Sequence, residues 1–452
     1  MNTRYLKKLK YKRIFSKYHK YIYLGILCFI CLIAEIYFTY SKFSVTKEDE
    51  VVKTTVGNFI YGDVVIGAYI NGEYFKSIPS KNDGYVVDKI ICDNDTQATW
   101  NYESWSLNTA NLSKRSKCNI YFKNSNASKI IKEVDTTGKC PSVNSDGSID
   151  ITTIEQTNSY ICSAPDAYGT SYYYRGNVTN NYVKFAGFYW RIIRINGDGT
   201  VRVIYDGTSA HKNGESSTDR HIGTSLFSSF GKDNAYVGYM YGAAGASSYT
   251  EAHKNSNNSA IKIYIDNWYK NNILNTKYEE YIVDNIFCND RSLASNHSSD
   301  YPNTGYSTDN TAYRWFYLGN SSYNNKKMFL TCPQKSDAFT VDNTVHGNGD
   351  LKYPIGLIST DEGFLAGGGG QDTLGTADTN FYLYTGYEYW SMTPNRLEKN
   401  SNSMINIINN MGYTSYGQNV ETTSYVKPVI NLTPNVLELG DGTASNPYRL
   451  SE

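Results

Sequence analysis

Between Lys20 and Lys42 the sequence runs YIYLGILCFICLIAEIYFTYS, an apolar stretch interrupted by a single acid, Glu35. At about 1.5 Å rise per residue such a run covers the ~30 Å hydrocarbon core of a bilayer, and a segment in lipid must satisfy its own backbone, so it can only be helix. Arg4, Lys7, Lys8, Lys10, Lys12, Arg13, Lys17 and Lys20 precede it with no acid among them, the charge pattern that keeps a segment cytoplasmic. The expectation is a basic cytoplasmic segment at 1–20 and a transmembrane anchor at 21–41. The protein would then be single-pass in the cell membrane, with a cytoplasmic N-terminus and its C-terminal bulk extracellular.

Tyr21, Tyr23, Tyr37 and Tyr40 stand towards the ends of the span, where amphipathic rings settle at the headgroups. A cleaved signal peptide would want a small-x-small site, which AEIYFTYSKF does not offer. A lipid anchor on Cys28 or Cys31 would want small residues before the cysteine, where Leu27 and Ile30 stand instead. Glu35 lies close enough to the outer end to reach the interface or a partner helix. NPYRLSE at the C-terminus is neither a sorting signal nor a second span, so the N-terminal helix is expected to be the only attachment.

Beyond the span lie Cys92, Cys118, Cys140, Cys162, Cys288 and Cys332. An even number in an exported region argues for disulfides, and adjacency suggests Cys92 with Cys118, Cys140 with Cys162 and Cys288 with Cys332, with other pairings open. The chain carries 43 basic and 43 acidic residues. With a purely basic N-terminus, the exported part is therefore net acidic, which argues against a nucleic-acid partner. Its 43 tyrosines, with abundant Asn, Ser and Gly, resemble surfaces that bind sugars or proteins through rings and amides, although an AT-rich genome would enrich Tyr and Asn together with Ile and Lys.

Residues 42–56 read as a polar stalk. From 57 to 125, short apolar runs predict a small all-β sandwich of five or six strands with one disulfide, including a type I′ hairpin at Asn71-Gly72. ASKIIKEV reads as a short helix within a linker at 126–150. KFAGFYWRIIRI and TVRVIYDG, joined by Asn196-Gly197-Asp198-Gly199, predict a central hairpin apolar on both faces. In NSAIKIYIDNWYKNNIL, Ile261, Tyr264, Trp268 and Ile273 or Leu274 share one helical side, with Lys and Asn opposite. Ser359 and Glu362 form a capping-box pattern ahead of Gly367 to Gly370, and long polar loops fill 206–260 and 289–312.

The ordered set YYYRGNVTNNYVKFAGFYWRIIRINGDGTVRVI, FCND, LTCP, AFTV, YPIGLISTDE, LYTGYEYWSMTPN, VKPVINL and GDGTASNPYRL resembles a C-type-lectin-like module of exported proteins from low-GC Gram-positive bacteria, similar in plan to formylglycine-generating enzymes. The resemblance implies an α+β domain over 135–452 with a twisted antiparallel sheet and long loops, in which Trp190, Trp268 and Trp390 are packing residues rather than ligand platforms. More faintly, 57–125 resembles the β-modules that precede such domains. The enzymes' chemistry would imply a copper-holding cysteine pair late in the domain, and no cysteine follows Cys332.

Hydrolase chemistry needs a base beside its nucleophile. His211, His221, His253, His297 and His346 all fall in polar segments without a G-x-S-x-G or H-E-x-x-H neighbourhood, so they read as surface histidines, although His211 and His221 could reach one metal. Calcium is a possible cofactor at Asp93-Asn94-Asp95, at Asn144-Ser145-Asp146-Gly147 with Asp150, and at Asn196-Gly197-Asp198, although none completes an EF-hand and such segments are commonly plain Asx turns. Gly367 to Gly370 lack the Lys-Ser/Thr of a phosphate cradle and read as a flexible loop. The functional expectation is a surface protein displaying a binding or adhesion domain for a glycan or protein, not an enzyme. The alternatives are a pilin-like structural component, or an exported enzyme acting on cell-wall or protein substrates.

Overall fold

The structure, a computed structural model, describes residues 65–451 apart from 81–84, 94–95, 102–104, 111–115, 151–158, 296–299, 319–326 and 371–378. The predicted cytoplasmic segment, anchor and stalk lie outside the described residues. No helix among the described residues is long and apolar enough to cross a membrane.

Asn71 and Gly72 both take positive φ, 50° and 88°, and so turn β1 (Val65–Ile70) back into β2 (Glu73–Phe75). With β3 (Tyr85–Cys92) and β6 (Lys117–Asn124) these make a four-stranded sheet in the order β2-β1-β6-β3, in which β1 and β6 run parallel. The hairpin of β4 (Gln97–Asn101) and β5 (Ser106–Ala110) supplies Trp100, Trp105 and Leu107 to the same core as Ile120 and Phe122. Cys92–Cys118 links the paired strands β3 and β6.

The stretch read as a linker holds α1 (Asn126–Lys132), capped by Ser125, and two short strands, Ser142–Val143 and Ile149–Asp150. Ala127 and Ile130 of α1 are buried in the main core.

The principal sheet is antiparallel. It contains β7 (Tyr160–Asp166), β8 (Gly169–Arg175), β9 (Tyr182–Phe185), β10 (Phe188–Ile195), β11 (Val201–Gly207) and β15 (Val429–Leu432), in the order β15-β11-β10-β8-β7, with β9 also paired to β10. The β10–β11 hairpin is central, and all of β11 is buried. A second sheet is built on β12 (Tyr389–Leu397), β13 (Ser403–Ile408) and β14 (Tyr416–Asn419). One hydrophobic core joins Trp190, Ile192 and Val203 of the first sheet to Trp390, Ile405 and Ile407 of the second.

Helix α2 (Ala260–Asn272) buries Ile261, Ile265 and Tyr269, with Tyr264 and Trp268 packed at the margin of that core. Its Lys262 is not on a solvent face as the periodicity suggested. It is buried, bonded to Asp266 at 2.7 Å and placed over the Tyr239 ring: a partner one turn on lets the ammonium stay inside. α3 (Thr360–Leu365) opens with the capping box of Ser359 and Glu362.

Gly367 to Gly370 are buried rather than forming a loose loop. The Gly369 N–H donates to the Gly412 carbonyl at 2.9 Å, and a Cβ on Gly368 would meet the Thr414 methyl at 2.1 Å. Glycine at 368 leaves room for the Thr414 side chain.

Candidate functional site

The described cysteines form Cys92–Cys118, Cys140–Cys162 and Cys288–Cys332, each bond joining neighbours in the chain. Trp190 and Trp390 are fully buried, and Trp268 packs edge-on against Trp190 and Tyr205.

His211, His221 and His253 are buried, contrary to the surface reading, while His346 is half-buried against Tyr168 and His297 lies outside the described residues. Packing against aromatic rings explains the difference for His221 and His253, and a pair of carboxylates for His211. His221 lies among Tyr387, Tyr389 and Tyr425, and burial, with Lys427 and Arg220 nearby, pushes its pKa down to about 2. His253 sits 3.9 Å from the Tyr249 ring, and burial, helped by Arg291, likewise pushes it down to about 2. Both imidazoles are neutral across the physiological range. His211 and His221 do not meet at one point: His211 is held by Glu215 at Nδ1 (2.9 Å) and Asp219 at Nε2 (2.8 Å), whereas His221 Nε2 bonds Thr385.

The Asx side chains of these loops are engaged by their own turns and by neighbouring segments. Asp93 accepts from the Lys117 N–H, Asp198 accepts from Thr200 and Asn285, and Asp146 accepts from Ser148 and pairs with Lys327, which with Ser148 holds its carboxyl below the usual range. Asn94 and Asp95 lie outside the described residues. Among the described residues no group of three or more His, Cys, Asp or Glu side chains could hold a metal ion.

Sequence periodicity missed a set of charges inside the core. Arg194 of β10 bridges Asp166 (2.7 Å) and Glu362 (3.1 Å), and Arg202 of β11 meets the same Glu362 at 2.6 Å. Burial pushes the Glu362 pKa up, but Arg202 and Arg194 outweigh it and hold the carboxyl below its ordinary value. Arg314 reaches Asp290 and Asp361, and the Trp315 indole N–H donates to Asp361 at 2.6 Å. A second node is Asp206, bonded by Arg220 (2.8 Å) and Lys427 (3.1 Å), with Arg191 at 3.9 Å, all fully buried. Burial pushes the Lys427 pKa down to about 7 against the pull of Asp206. The cavity beside Glu362 measures about 20 Å³, room for a water molecule and little more. These groups are scaffold.

A groove of about 680 Å³ opens elsewhere, within the size range of ligand sites. Three elements distant in sequence line it. The first is the β9–β10 turn, where Ala186 and Gly187 take φ of 52° and 82° and carry Lys184 and Phe185 to the wall. The second is the 3-10 turn Glu279–Tyr281, held to the end of β15 by the Thr433 N–H donating to the Tyr281 carbonyl, and contributing Lys277, Tyr278 and Tyr281. The third is the C-terminal segment, closed by reciprocal backbone bonds between Leu439 and Arg449, both 3.0 Å. The small β unit braces that segment from behind. Lys123 pairs with Glu438, the Asn126 amide donates to the Leu437 carbonyl at 2.7 Å, and the Asn435 amide donates to the Val87 carbonyl at 3.3 Å. Only the tyrosine-rich composition hinted at this groove, because its lining is assembled by the fold.

No protein-family model matches the chain, and no curated protein or solved structure matches it either.

Proposed function

We propose that this chain is a membrane-anchored bacterial surface protein that displays a C-type-lectin-like binding domain, with the groove at the β9–β10 turn as its contact site for a glycan or protein. The groove carries this reading: it has the volume of a ligand site and combines half-buried rings with long cationic side chains. The apolar span at 21–41 and three disulfides suit an oxidising exterior. The test is attachment of cells displaying the full-length chain to a panel of glycans and surface proteins. Tyr278→Ala with Tyr281→Ala should abolish attachment while leaving the melting temperature within a few degrees. Unchanged attachment would refute the groove as the contact site.

One observation favours an enzyme as second reading. His211 has Glu215 on one ring nitrogen and Ser209 Oγ 3.4 Å from the other. Asp219, at 2.8 Å, takes that second nitrogen more closely, so the ring is better placed to pin the 207–219 loop than to activate a hydroxyl. Loss of a hydrolytic activity in Ser209→Ala would reverse this preference.

A further inference from the structure

The groove gathers three cations from three segments distant in sequence, Lys184, Lys277 and Arg449. Most buried cations elsewhere sit on carboxylates, as Arg194, Arg202, Arg220, Arg291 and Arg314 do, whereas buried Arg175 donates to the Phe364 and Leu365 carbonyls. In the groove, Lys184 Nζ lies 5.8 Å over the Tyr189 ring and Lys277 Nζ 5.4 Å over the Tyr278 ring, while Arg449 donates to Asn446 and the Pro447 carbonyl. Among the described residues none of these three cations has a carboxylate partner. The acid in the lining, Glu280, is engaged by the Tyr281 hydroxyl. Glu438, behind the wall, is taken by Lys123 and by the Ser451 hydroxyl. The result is a cationic recess on a net acidic exported region, an arrangement that concentrates anions at its mouth.

The rings define what accompanies the anion. Phe185 is buried with Tyr278 edge-on to it, centroids 5.3 Å apart, and Tyr278 and Tyr281 are half-buried. A peptide binding by strand addition would need an open strand edge, and here the edge of β9 is already occupied. Lys184 N–H donates to the Tyr448 carbonyl at 2.8 Å, Tyr448 N–H to Tyr182 at 2.9 Å, and Tyr182 N–H to Gly442 at 2.8 Å. Recognition must therefore run through rings and charged tips, which suits a saccharide better than a peptide backbone.

Resting on the reading of this groove as a contact site, we infer that its ligand is an anionic glycan, whose carboxylate or phosphate groups lie among Lys184, Lys277 and Arg449 with sugar faces against Tyr278 and Tyr281. The test uses the full-length chain in detergent micelles, with polygalacturonate, a polyol-phosphate polymer, neutral dextran and polyglutamate of similar length as probes. Binding is expected to one or both anionic polymers of sugar or polyol, the two arms separating carboxylate from phosphate, and to be about tenfold weaker or worse for dextran. Lys184→Ala and Lys277→Ala should each weaken binding about tenfold without moving the melting temperature.

Equal binding of dextran, lost in Tyr278→Ala, would overturn the anionic inference and leave the contact site standing. Binding of polyglutamate alone would overturn it in favour of an acidic peptide. No binding of any probe also overturns it, and the wider reading falls with it only if the tyrosine variants leave cell attachment unchanged.

Discussion

The cations of the core and the cations of the groove belong to one fold but live by opposite rules. Inside, Arg194 and Arg202 share Glu362, and Arg220 and Lys427 share Asp206, with side chains almost wholly removed from water. At the groove, Lys184 and Lys277 lie exposed over rings and half-buried Arg449 bonds Asn446 and the Pro447 carbonyl, none with a carboxylate partner among the described residues. A buried charge needs a counter-charge or, as for Arg175 on the Phe364 and Leu365 carbonyls, hydrogen-bond acceptors to replace its hydration, whereas an exposed one keeps its water and stays available. Pairing thus separates what holds the molecule together from what can meet a partner.

The comparison breaks most readily at Glu362. Glu362→Ala strands Arg202 and removes one of the two partners of Arg194, so chemical denaturation should show a loss of about 3–5 kcal/mol. A loss under about 1 kcal/mol would mean that the core pairs are not scaffold. Replacing both Cys288 and Cys332 by Ala opens the bond that closes the loop around Asp290 and Arg314, and should cost about 2–4 kcal/mol.

Lys427 sharpens the contrast through pH. Its folded pKa is about 7, below its ordinary value. Above pH 7 the folded protein has therefore released a proton that the unfolded chain still holds, and stability from this group rises with pH until the unfolded lysine titrates too. Lys427→Met should lack this rise, seen as a flatter stability profile than wild type on the alkaline side of pH 7. The smallest expected effect is at the groove: Lys184→Ala and Lys277→Ala should change stability by less than about 0.5 kcal/mol.

What could be read from the sequence was local. Asn71-Gly72 announces its hairpin because both turn residues need positive φ, and Ser359 with Glu362 announces α3 because two short-range bonds make the cap. The NGDG turn between two apolar runs announces the central hairpin. Other features depended on distant partners. Arg191, Arg194 and Arg202 interrupt apolar runs, and that interruption was the available signal: a charge in a strand buried on both faces requires a counter-charge. The partners, Asp166, Asp206 and Glu362, come from other elements. His221 reads as a surface residue because the rings that bury it, Tyr387, Tyr389 and Tyr425, arrive from elsewhere in the fold. The groove was the least legible feature, since the segments at 184–187, 277–281 and 439–451 meet only after the β9–β10 turn and the C-terminal bonds form.

The central claim is that unpaired cations make this groove a site for anions, and the salt dependence of binding tests it most directly. The Debye length falls from about 30 Å at 0.01 M to about 3 Å at 1 M salt. Affinity of the full-length chain for polygalacturonate or the polyol-phosphate polymer should therefore fall steeply across that range, while the melting temperature, set by buried pairs, holds nearly constant. Affinity that is indifferent to salt would contradict the account.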